Sequence, residues 1–67
     1  MVNAMTALAR LAAMRRPLDW RIGAYAAICG APCRPLETRP VARLQYLAGY
    51  IAGQQMAALD YYLEAQP

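Results

Sequence analysis

The sequence predicts an all-α fold, a small three-helix protein with a long C-terminal helix, its helices at about 3–16, 19–29 and 39–65 within a single small helical domain, 1–67. Three observations lead there. Apolar residues recur at i, i+3, i+4 and i+7 in three separate segments. Apolar–polar alternation, the mark of a half-buried strand, never persists. The strongest breakers, Pro17 and the stretch from Gly30 to Pro35, fall between the periodic segments.

The first helix is expected to start at Asn3, a good N-cap. Its apolar stripe is Ala4, Leu8, Leu11 and Ala12, with Met5 beside it. Arg15 and Arg16 suit the negative end of the helix dipole. Pro17 stops the helix, because the residue before a proline is pushed toward extended geometry. For the second helix, Asp19 can cap the start, and Ile22, Tyr25, Ala26 and Cys29 form the stripe expected to face the core. Gly30 follows directly and suits a left-handed C-terminal cap. Residues 31–38 carry Pro32 and Pro35 and read as an extended loop. Thr38 ahead of Pro40 is a helix-start signal. On the third helix Leu44, Leu47, Ile51, Ala58 and Tyr62 mark the expected core face, with Leu59 and Leu63 adjoining.

The third helix also carries a second pattern. Gly49, Gly53 and Ala57 fall four apart, as do Ala48 and Ala52, and Tyr46 and Tyr50 flank this strip one turn from each other. A glycine costs roughly 1 kcal/mol in a helix interior, so two of them imply close backbone approach. The expected neighbour is the second helix, whose Gly23, Ala24 and Ala27 are small as well. Self-association through the strip is the other option, with Ile51 beside it as a packing or interface residue. A membrane reading of the strip is opposed by Gln54 and Gln55.

Composition narrows the functional classes. A 67-residue chain buries only about 60% of its unfolded surface, so a bound partner or a homodimer is expected. Net charge is +3, with every positive charge on Arg. A basic balance suits phosphate, nucleic acid or an acidic protein surface, although abundant Arg and Ala without Lys is also what GC-rich coding yields. No stretch of about 20 apolar residues spans a membrane, and the N-terminus is apolar first and basic second, the reverse of a secretory leader. A cytoplasmic location, with reduced thiols, follows as the expectation.

Chemistry is sparse. His and Ser are absent, which removes the ordinary neutral-pH base and the commonest hydroxyl nucleophile. Without Lys or a Gly-rich phosphate loop, a nucleoside-triphosphate site is not expected. Asp60 and Glu64, one helical turn apart near the C-terminus, read as solvated carboxylates. Cys29 and Cys33 are too few for a four-ligand zinc site in one chain; the expectation is a small core residue and a free loop thiol, with a disulfide as the alternative. The chain is therefore not expected to be an enzyme, nor to need a cofactor or metal. The arginines form two groups, Arg10, Arg15, Arg16 and Arg21 around the first junction and Arg34, Arg39 and Arg43 around the second. Guanidinium forks at Arg34, Arg39 and Arg43 can reach phosphates, and Tyr46 and Tyr50 beside them suit unpaired RNA bases. A solvated basic rim with half-buried tyrosines is the plainer alternative.

The order of these features resembles the ribosome modulation factor family and its small phage- and plasmid-borne relatives. The resemblance runs over residues 21–56. It consists of an Ala- and Gly-rich helix (Gly23 to Gly30), a Cys33-Arg34-Pro35 loop, and Tyr46-Leu47-Ala48-Gly49-Tyr50 about ten residues later. The matching positions are Cys33, Pro35, Tyr46, Leu47, Gly49 and Tyr50. Arg34 separates Cys from Pro, Tyr stands where the family usually has Trp, and the first sixteen residues are an added helix. The resemblance implies two helices joined by a Cys- and Pro-containing linker, binding to small-subunit ribosomal RNA, and silencing of translation. The competing expectation is a phage or mobile-element inhibitor that binds a host protein, its small-residue helix face in a groove.

Overall fold

The computed structural model describes residues 4–35 and 39–65. It contains α1 (Ala4–Ala13), α2 (Leu18–Ile28) and α3 (Pro40–Ala65). The expected N-cap Asn3 and the start signal Thr38 lie outside the described residues, as do the side chains of Ala4, Met5, Tyr62, Leu63 and Glu64.

Helix α1 ends at Ala13, three residues short of the expected boundary, in a turn where the Met14 amide donates to the Leu11 carbonyl at 3.2 Å. Arg15 follows with φ 53°, a left-handed conformation taken here by a residue other than glycine. Helix α2 begins at Leu18 with Pro17 in the capping position and no side-chain cap hydrogen bond. Asp19 is thus not the cap; it lies inside the first turn, where a negative charge still faces the positive end of the helix. The C-terminal end of α2 is as expected. Gly30 has φ 75°, its amide donates to Ala27 at 3.0 Å, and the Ala31 amide donates to Ala26 at 2.9 Å. This pair of bonds is the Schellman arrangement, and it satisfies carbonyls that the helix end would otherwise leave bare. Helix α3 starts with Pro40 in its first position, and the Arg43 amide donates to the Arg39 carbonyl at 3.0 Å.

Helices α2 and α3 make the main packing interface; α1 touches α2 over a smaller area. The α2–α3 pair is parallel. Trp20 lies against Gly49 and Ala24 against Gly53, so both chains advance in the same direction across the contact. Eleven residues of α2 rise about 16 Å, and the segment after Gly30 returns over that distance to let α3 start beside Pro17 and Asp19.

The core sets alanines and glycines around a few large side chains. Ala7, Leu11, Trp20, Ala24, Ala27, Ala42 and Tyr46 are buried, with Tyr25, Ile28, Ala52 and Met56 packed around Leu11, Trp20 and Ala24. This corrects two expectations. On α2 the buried face is Trp20, Gly23, Ala24 and Ala27, while Ile22 is exposed and Cys29 is exposed. On α3 the inward residues are Ala42, Tyr46, Gly49 and Gly53, while Leu44 and Ile51 are 66% and 57% exposed and Leu59 is exposed as well. The reason is steric. Where the backbones approach, at Gly23, Gly49 and Gly53, no side chain fits, so Trp20 and Tyr46 pack around the glycine contact while Leu44 and Ile51 are turned to the far side.

Candidate functional site

The junction between α2 and α3 gathers the residues singled out as a binding site. Its foundation is the glycine contact. A Cβ placed on Gly23 would overlap the carbonyl of Tyr46 and lie 3.0 Å from the Tyr50 amide nitrogen. One on Gly49 would overlap the Trp20 carbonyl, with the Trp20 Cα at 2.9 Å. One on Gly53 would overlap the Ala24 carbonyl and sit 2.9 Å from the Ala27 Cβ. Carbonyl oxygens thus point at glycine Cα atoms from both sides, the geometry in which weak Cα–H···O contacts recur between helices. The strip formed by Gly49 and Gly53 is filled by α2, and Ala57 is partly buried. In the fold of one chain the strip therefore serves the close packing of α2 on α3. Ile51 points away from α2 and takes no part in the helix packing.

The two tyrosines are held on the same side. Their rings stack, with centroids 6.3 Å apart and planes 22° from parallel. Tyr46 is 7% exposed, and its hydroxyl accepts from the Arg34 amide at 3.3 Å. The Tyr50 hydroxyl donates to the Ala31 carbonyl at 2.6 Å. They therefore pin the returning segment, from Ala31 to Arg34, along α3. Tyr46 is buried and presents no open face to a base, whereas the Tyr50 ring is partly exposed; both hydroxyls are engaged with backbone. The signal was available in the sequence, since residues 46 and 49 stand only about 60° apart around a helix, and a buried Gly49 draws Tyr46 inward with it.

Because the segment returns, Arg34 reaches the level of Tyr46, one helical turn beyond Arg43 on α3. Arg34, Arg39 and Arg43 are all exposed, and Arg43 flanks a shallow apolar hollow with Pro40, Leu44 and Leu47. In the other arginine group Arg10, Arg16 and Arg21 make local contacts. Arg10 pairs with Asp60 at 3.2 Å, an exposed bridge of small energy. The Arg16 guanidinium lies 5.1 Å from the centre of the Trp20 ring, and Arg21 Nε donates to the Arg16 carbonyl at 3.0 Å.

Cys29 and Cys33 are both free and exposed, so Cys29 is not the small core residue expected. Tyr25 lies one turn before Cys29, and its hydrogen bond to that thiol, together with the thiol's charge when ionised, raises the phenol above its ordinary value. Among the described residues no group of three His, Cys, Asp or Glu comes together as a metal site, and no helix is long and apolar enough to cross a membrane. No model of a known protein family matches the chain, and neither a curated protein nor a solved structure does.

Proposed function

We propose that the protein is a non-enzymatic, cytoplasmic binding protein resembling ribosome modulation factor, which contacts small-subunit ribosomal RNA and inhibits translation by occupying that surface. One observation carries the reading. The returning segment, tied down by Tyr46 and Tyr50, sets the Arg34 backbone at the Tyr46 hydroxyl, about one helical turn along α3 from Arg43. Arg34, Arg39 and Arg43 are exposed, so their guanidinium groups can reach phosphates, and the first turn of α3 also offers backbone amides. In this reading the tyrosines position the basic segment and do not stack on bases themselves.

Three phosphate contacts give a log–log salt slope of about −2 for unpaired RNA. Purified protein is expected to co-sediment with small ribosomal subunits at low salt and to be released as salt rises. Arg39→Glu combined with Arg43→Glu should abolish co-sedimentation while helicity is retained. Failure to pellet with subunits at low salt, or indifference to the double charge reversal, refutes the reading.

A phage- or mobile-element-encoded inhibitor of a host protein is the second reading. It is favoured by the large apolar residues of α3 that face outward, a different surface from the small-residue strip. Affinity capture would then return one host protein in place of ribosomal components.

A further inference from the structure

We infer that the outward face of α3 is the seam of a two-fold homodimer, an assembly separate from the RNA contact proposed above. The seam lies directly opposite the face packed on α2. Leu44, Ile51 and Ala58 recur every seven residues, with Leu47 and, a heptad later, the polar Gln54 between them. This is the spacing by which one helix lies along another. From Leu44 to Leu59 α3 carries no charged residue, so two identical faces meet without repulsion, and an oppositely charged partner finds nothing there to pair with.

Surface area points to a second copy. The chain exposes 5004 Å², whereas a folded monomer of 7.4 kDa is expected to expose about 4,200 Å². The excess, about 800 Å² over an elongated chain 45 × 22 × 14 Å in extent, is enough to include one partner's share of a standard protein–protein interface. A second exposed apolar region, a groove of about 370 Å³ between α1 and α2 lined by Leu8, Leu18 and Ile22, is concave and does not complement its own copy. A straight helical stripe can, because a two-fold interface must be self-complementary. Electrostatics sets the orientation. Parallel α3 helices would crowd Arg39 and Arg43 of both copies at one end. An antiparallel pair centred on Ile51 sends the basic ends to opposite poles and sets Leu44 of each copy opposite Ala58 of the other.

The test is the solution mass of the full chain, by sedimentation equilibrium from low micromolar to millimolar concentration. Twice the chain mass is expected. Ile51→Glu places two carboxylates on the two-fold axis and should weaken the dimer about a hundredfold or more, with helicity unchanged because the position is exposed. Leu18→Glu, in the α1–α2 groove, should leave the dimer intact. Leu44→Glu and Ala58→Lys should each weaken it, and the two together should restore it. A monomer throughout the range, dissociation by Leu18→Glu but not by Ile51→Glu, or open-ended assembly overturns the dimer. Failure of the paired charges to rescue overturns the antiparallel arrangement.

Discussion

Gly49→Ala gives the sharpest check on the helix interface, because the packing reverses the sign expected from propensity. On an open helix this exchange stabilises by about 1 kcal/mol. Here the new methyl would lie 2.7 Å from the Trp20 carbonyl carbon and 2.9 Å from its Cα, with the carbonyl oxygen nearer still. Non-bonded carbons settle at about 3.5–4.0 Å, and every atom in the way is backbone, so no rotamer change relieves the clash. The two helices must part by roughly 1 Å. A gap of 0.5–1 Å forfeits about a quarter to a half of each contact's attraction, and overpacking typically costs about 1–3 kcal/mol. Taking the upper part of that range and subtracting the propensity gain leaves a net loss of about 1–2 kcal/mol.

A domain of this size rarely holds more than about 3–5 kcal/mol. The melting temperature should therefore fall by about 5–15 °C, followed by circular dichroism at fixed protein concentration so that any assembly contributes equally. Gly53→Ala should behave alike, its methyl meeting the Ala24 Cα at 2.8 Å, and the two losses should not add because they share one interface. Gly30→Ala is the control for backbone strain alone. No atom lies within 4 Å of its added Cβ, and the left-handed φ of 75° should cost about 1–2 kcal/mol. A rise in melting temperature for Gly49→Ala would refute the close parallel packing of α2 and α3.

Three further outcomes are expected. Tyr50→Phe should lower stability by about 1 kcal/mol, read by chemical denaturation, and should weaken RNA binding through the freed Ala31–Arg34 segment; unchanged stability would remove the hydroxyl's pinning role. Arg15→Gly should raise stability by about 1 kcal/mol, because the left-handed turn at φ 53° is strained for a residue with a Cβ, and a fall in the denaturation midpoint would contradict this. Cys29→Ala should move Tyr25 back toward the ordinary tyrosine range in an ultraviolet pH titration, with Tyr25→Phe identifying its signal. Since the folded phenol is raised, whatever the thiol contact contributes is fully present below the unfolded value and is lost as pH rises through the folded one; a Tyr25 titration indifferent to the substitution would sink the assignment.

The helices were legible because each is periodic and bounded by proline or glycine, and Gly30 did what its position beside the last periodic residue implies. Which face turns inward was not legible from periodicity alone. Helix α3 has two apolar stripes on opposite sides, Ala42, Tyr46, Gly49 and Gly53 on one and Leu44, Leu47, Ile51 and Ala58 on the other. Ranking them by side-chain size favours the second, whereas backbone approach requires the first. The connection was a further clue. Ten or so residues with two prolines exceed what a tight antiparallel pair needs, but suffice to travel back along α2 at about 3.3 Å per residue and start a parallel helix. Capping at Asp19 was misread because Pro17, with its fixed φ, already supplies a helix entry.

These choices have an energetic consequence. Packing through alanine and glycine brings backbones close but removes little apolar area from water, and Ala24, fully buried, contributes far less than a leucine in its place would. The residues with most to gain from burial, Leu44 and Ile51, remain more than half exposed in the fold of one chain. Roughly 1.5–3 kcal/mol accompanies full burial of each such side chain, comparable with the stability available to the whole monomer. The outward stripe of α3 is therefore where assembly and folding are coupled. If the dimer forms, the melting temperature of the wild-type chain must rise with protein concentration, while that of Ile51→Glu stays flat.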